Sequence, residues 1–143
     1  MAAVIHKVLE SEKEIRTLHH FIKDWNKKHP KKSEQIRVGH IKTSEILIKL
    51  ALKKIKDFSN PLNYKEVEIE NGKSFTCVSF MDNAASVAKQ LDLEVKSIKN
   101  HFKRLKMAQI ADIDYVPTVS SQKNRKSSRY EDLISINLKF FIN

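Results

Sequence analysis

The sequence predicts an α+β domain, and three observations lead there. Apolar residues recur with helical spacing over residues 3–28 and again from Thr43 or Ser44 to about Phe58. The stretch "SVAKQLDLEVKSIKNHFKRLK", residues 86–106, reads as two short helices in immediate succession. Two alternating apolar–polar stretches form hairpin patterns, one around Asn71-Gly72 and one at the C-terminal end. With 143 residues, 41% of them hydrophobic, the chain suits a single core with an extra arm. The expected division is an N-terminal amphipathic helix over 1–30 and a domain over 31–143.

In the first helix Val4, Val8, Ile15, Leu18, Ile22 and Trp25 share one face, and Ser11 interrupts the stripe. That stripe can pack on the chain's own core or join a second copy as a homodimer. His29-Pro30 ends it, because the residue before proline is pushed out of helical geometry. The basic connector "NKKHPKKSEQ" follows; it can touch phosphates or serve as a solvated link. Ile36 and Val38 alternate briefly and predict a short strand in "QIRVGHI". Thr43 or Ser44 then offers an N-cap to a helix so apolar (Ile46, Leu47, Ile48, Leu50, Ala51, Leu52, Ile55) that it belongs at the centre of the core. "SNPLN" stops it. Val67 and Ile69, Asn71-Gly72, then Phe75, Cys77 and Ser79 predict a hairpin with a tight type I′ turn. Cys77 fits that strand as a small side chain.

The helix pair carries the functional signal. Ala84, Val87, Ala88 and Leu91 lie on one helical face, with Asp82 as the expected N-cap. Asp92 breaks the helix, and a second begins near Glu94 with Val95, Ile98, Phe102 and Leu105 on its inner side. This spacing matches a helix-turn-helix: small Ala88 where the helices cross, the turn at Asp92, then apolar Leu93 and branched Ile98. The turn position more often holds glycine, and aspartate tolerates the left-handed conformation better than most residues. At about 100° per residue, the outer face of the second helix centres on Asn100, flanked by Lys96, Ser97, Lys103 and Arg104, with Lys99 at the margin. Five basic residues and no acidic one lie between Val95 and Ala111, whereas an ordinary solvated face carries both signs. Asparagine pairs with adenine in the major groove, arginine with guanine, and lysine with phosphate. His101 sits at the other margin as a structural residue.

A last hairpin follows, rising over Ile110–Val119 and returning with Ile134, Ile136, Leu138 and Phe140 on one face. Its tip, "SSQKNRKSSR", carries Lys123, Arg125, Lys126 and Arg129. A helix-turn-helix followed by a basic hairpin is the element order of a winged helix, here with an extra hairpin and a long N-terminal helix. Of the five arginines, three (Arg104, Arg125 and Arg129) fall on the outer face or the wing. The runs "SEILIKLALKKIKDFSN", "EVEIENGKSFTCVSF" and "NAASVAKQLDLEVKSIKNHFKRLKMAQIADI" resemble the N-terminal winged-helix domain of plasmid replication initiators and phage replisome organisers over about residues 36 to 141. The resemblance implies that the helix and the wing bind iterated origin DNA.

Composition points the same way. A net charge of +10 favours a polyanionic partner. The lone Cys77 excludes an internal disulfide and fits a reducing, cytoplasmic setting. The N-terminus has no signal-peptide hydrophobic region, and no apolar run approaches the ~20 residues of a membrane span. No metal or cofactor is expected, nor an enzyme: the six histidines lack metal-ligand spacing, and no Gly-rich loop or paired nucleophile and base is visible. The expected function is sequence-specific binding of double-stranded DNA, in replication initiation or transcriptional regulation. The alternative is an adaptor of winged-helix shape that binds protein and does not read DNA. RNA is less favoured, since no aromatic residues interleave the basic face.

Overall fold

The computed structural model describes residues 2–116 and 131–142. Its elements run α1 (Ala2–Lys28), α2 (Val38–Lys54), β1 (Tyr64–Glu68), β2 (Ser74–Asp82), α3 (Ala84–Gln90), α4 (Val95–Met107), β3 (Ala111–Val116) and β4 (Glu131–Asn137). Short 3-10 turns occupy Lys32–Glu34, Pro61–Asn63, Glu70–Gly72 and Leu138–Phe140. Among the described residues the fold is α+β, with four α-helices and one antiparallel sheet in the order β1-β2-β4-β3. The two hairpins anticipated separately are thus halves of a single sheet, joined where β2 pairs with β4.

The strand register explains the layering. Val78 lies opposite Ile136, and Ile134 lies between Phe80 and Ile113. Successive strand residues point to opposite faces, so this row shares one side of the sheet. It joins a core with Leu18 and Ile22 of α1, Leu47, Ile48 and Ala51 of α2, Val87 and Ala88 of α3, and Ile98, Phe102 and Leu105 of α4. The apolar stripe of α1 therefore meets the chain's own core over Ile15–Trp25; the Val4 and Val8 side chains lie outside those described. The opposite face of the sheet holds Val67, Phe75 and Cys77 with Ile69, a hydrogen bond of 2.8 Å between the Ser79 and Ser135 hydroxyls, and an ion pair from Lys65 to Asp114. Burial pushes the Cys77 thiol far up from its ordinary pKa, so the buried sulfur stays protonated as a core atom. No helix among the described residues is long and apolar enough to cross a membrane.

Several local expectations are corrected. Ile36 and Val38 form no strand: Ile36 is buried in the core, while Val38 is 67% exposed and opens α2. The Arg37 amide donates to Nδ1 of His40 at 3.0 Å, so α2 starts well before Thr43 and Ser44, which are buried inside it. Gly39 serves a close approach, since a side chain there would stand 3.3 Å from the His101 ring. α2 also ends earlier than expected, at Lys54. Beyond it Ile55 is extended and buried, and Asp57 accepts from the Ser59 amide, an Asx turn that competes with helix. The first hairpin closes through a five-residue loop, with Ile69 and Lys73 hydrogen-bonded at 2.8 Å and Gly72 at φ +75°, in place of a two-residue turn. β4 stops at Asn137, because Asn137 Oδ1 accepts from the Lys139 amide and turns Leu138–Phe140 into a 3-10 turn that still buries Phe140. β3 begins at Ala111, one residue after the expected Ile110; beyond Val116 the rising strand lies outside the described residues.

Candidate nucleic-acid interface

The helix pair is built by its ends. Asn83, not Asp82, caps α3: its Oδ1 accepts from the Ser86 amide at 2.7 Å, satisfying an amide the first turn leaves without a partner. Asp82 instead accepts from the Asn83 amide and pairs with Lys54 at 3.3 Å. α3 ends in a Schellman motif. The Leu93 amide donates to the Ala88 carbonyl at 2.9 Å, the Asp92 amide donates to Lys89 at 3.2 Å, and Asp92 takes φ 55°. The aspartate thus supplies the left-handed turn residue that the spacing required. α4 ends the same way: Ile110 donates to Leu105 at 2.8 Å, Gln109 donates to Lys106 at 3.0 Å, and Gln109 stands at φ 62°.

Between those ends α4 presses Ile98, Phe102 and Leu105 into the core, each contributing about 1.5–3 kcal/mol by leaving water. Val95, expected on the same inner side, is 38% exposed because it opens the helix beyond the edge of the packing. The outer side leaves Lys96, Lys99, Asn100 and Lys103 exposed, with Ser97 half-buried beside them. No acidic residue interrupts this strip. Lys123, Arg125, Lys126 and Arg129 lie outside the described residues, so the strip and the expected wing are not brought together here.

Arg104 is placed differently from its neighbours on the strip. It is half-buried, and its Nη1 donates to the Gln35 carbonyl at 2.6 Å and the Lys32 carbonyl at 3.4 Å. Its guanidinium is therefore committed to the connector between α1 and α2, while Asn100 stands free in solvent. Below it, His101 Nδ1 meets the Thr43 hydroxyl at 2.7 Å, and its ring packs edge-on against His40 with centroids 5.0 Å apart. Burial first, then His101, Arg104 and Arg37, push the His40 pKa down to about 4; burial also lowers that of His101. Both imidazoles are thus neutral packing groups along one flank of α4. Gln35, Gly39, His40 and Thr43 were not anticipated as neighbours of this helix. The one signal available was Gly39, one of only two glycines in the chain.

The other flank of α4 borders a cleft of about 310 Å³, lined by Lys99, Phe102, Lys103, Lys106, Asp112, Ile113 and Asp132. Burial raises the Asp112 pKa, and Asp132 accepts from the Ala84 amide at 2.9 Å. Carboxylates in the lining make the cleft a poor seat for a phosphate, whereas the lysines can still reach outward from its rim. Among the described residues no group of three or more His, Cys, Asp and Glu could hold a metal ion. No family model, curated protein or solved structure matches the chain.

Proposed function

We propose that this chain is a sequence-specific double-stranded DNA-binding protein of winged-helix type, with α4 as its recognition helix. The observation that carries the reading is the acid-free strip Lys96, Lys99, Asn100 and Lys103, exposed on a helix whose inner side is fixed by Ile98, Phe102 and Leu105. A major groove about 12 Å wide admits one helix, and a rigidly backed helix can present a single asparagine to a base edge with lysines reaching the phosphates on either side. The topology supports the fold assignment: α2, β2, α3, α4, β3 and β4 follow one another, and the last strand lies between the other two in the sheet. In a winged helix the connection between those last two strands is the wing; the corresponding stretch of this sequence carries Lys123, Arg125, Lys126 and Arg129 and lies outside the described residues. The resemblance to replication initiators adds origin recognition as one role, and transcriptional regulation is the other.

Paired substitution separates the two kinds of contact. Lys96→Ala with Lys103→Ala should weaken duplex binding for all sequences and reduce the salt slope by about 2, because two phosphate contacts disappear. Asn100→Ala should leave that slope alone and lower discrimination at one base position by about 1–3 kcal/mol. Unaltered binding in both variants, with the fold intact by circular dichroism, would exclude this face. Sites selected from random duplex DNA then distinguish the roles: direct repeats favour an origin, and an inverted pair favours a dimeric repressor.

A further inference from the structure

The segment between α1 and α2 is unusually well fastened for a charged connector. Trp25 Nε1 donates to the Glu34 carbonyl at 2.8 Å, and the Trp25 ring stacks on His29 with centroids 3.6 Å apart. Asn26 bonds both backbone groups of Ile36, accepting from its amide at 2.7 Å and donating to its carbonyl at 3.0 Å. Gln35 Nε2 donates to the Asn26 carbonyl at 2.9 Å and the His29 carbonyl at 2.5 Å. Arg104 completes the set from α4 through the carbonyls of Lys32 and Gln35. Each of these bonds uses backbone groups or the side chains of Trp25, Asn26, Gln35 and Arg104, and none uses the side chain of Lys31 or Lys32. They hold its course and leave the side chains of Lys31 and Lys32 exposed, with no ion pair for either among the described residues. From Lys27 to Arg37 the segment carries five lysines and arginines against Glu34 alone.

We propose that the Lys31–Lys32 connector, pinned to α4 by Arg104, is a phosphate-backbone clamp that grips the DNA strand bordering the recognition helix. This rests on the reading of α4 as a groove-binding helix. A helix some 10–12 Å across fills a major groove about 12 Å wide, so whatever lies against its side meets the phosphate ridge. The connector occupies that position on the Arg104 flank. Because its backbone is already fixed, its lysines add charge without the ordering cost a loose loop would carry on binding. Arg104 is then a positioning residue: it sets where the lysines stand and makes no base contact of its own.

The test is a salt series from 50 to 200 mM with selected duplex DNA and the full chain, comparing three proteins: the parent, Lys31→Ala/Lys32→Ala and Lys96→Ala/Lys103→Ala. The connector variant should keep its unfolding midpoint and its base preference. Its slope of log affinity against log salt should shrink by about 2, so that the parent's advantage over it falls by about tenfold across the series. A connector variant with the parent's slope overturns the clamp, and if the α4 variant still loses slope, the DNA reading itself stands. A parent that binds duplex without salt dependence overturns both. Arg104→Lys keeps the charge, but its ammonium falls short of the position from which Nη1 reaches both carbonyls, so it should weaken the parent severalfold. In the Lys31→Ala/Lys32→Ala background the same change should have no further effect; full additivity would mean that Arg104 acts on DNA directly and would overturn its positioning role.

Discussion

Arg104 and Asn100 lie one helical turn apart and fall to different tasks. Helical periodicity alone turns both outward. What separates them is a carbonyl 69 residues away, that of Gln35, which claims the guanidinium and leaves the amide free. A contact of that range is not written in local spacing, whereas the inward turn of Ile98, Phe102 and Leu105 is. The same flank gives a pH prediction. His40 accepts a hydrogen bond from the Arg37 amide and faces His101 and Arg104 of α4, so the fold favours its neutral form. In the folded protein it protonates near pH 4, and in the unfolded chain near 6.5. The unfolded state therefore binds the extra proton between those values: stability is full above about pH 6.5 and is lost as pH falls towards 4. Denaturant titrations across this window should give a flatter pH dependence for His40→Gln than for the parent. Equal slopes would show that His40 is not held neutral.

At the level of elements, what the sequence made legible was whatever depends on neighbours a few residues away. Pro30 marks the end of α1, and the spacing from Ala88 through Asp92 to Ile98 marks the pair α3–α4, because capping and turn chemistry are local. Short alternations misled in two places. Ile36–Val38 is a loop entering a helix, and Leu138–Phe140 is a 3-10 turn, since two apolar residues at a spacing of two fit either geometry. The turn ends allow a direct test. Gln109 holds a left-handed conformation that costs a residue with a Cβ about 1–2 kcal/mol and glycine almost nothing. Gln109→Gly should therefore raise unfolding stability by about 0.5–1 kcal/mol in urea, the gain being reduced by the greater freedom of glycine in the unfolded chain. A loss of stability would contradict the motif that closes α4 against Leu105.

For the whole molecule, the sheet order β1-β2-β4-β3 and the shared core tie α4 to every other layer. The basic strip is thereby presented by a helix packed into the common core, and the net charge of +10 gives long-range attraction to a polyanion. Composition announced that charge, but the joining of two hairpins through β2 and β4 depends on pairing between residues 50 to 60 apart and could not be read from either hairpin alone. On the proposed reading, this surface grips duplex DNA through its phosphates. The most direct measurement is the affinity of the full chain for selected duplex DNA as a function of salt. Neutralising roughly six phosphates predicts that log affinity falls against log salt with a slope near −5. A slope close to zero, or no retention of duplex at physiological ionic strength, would contradict it.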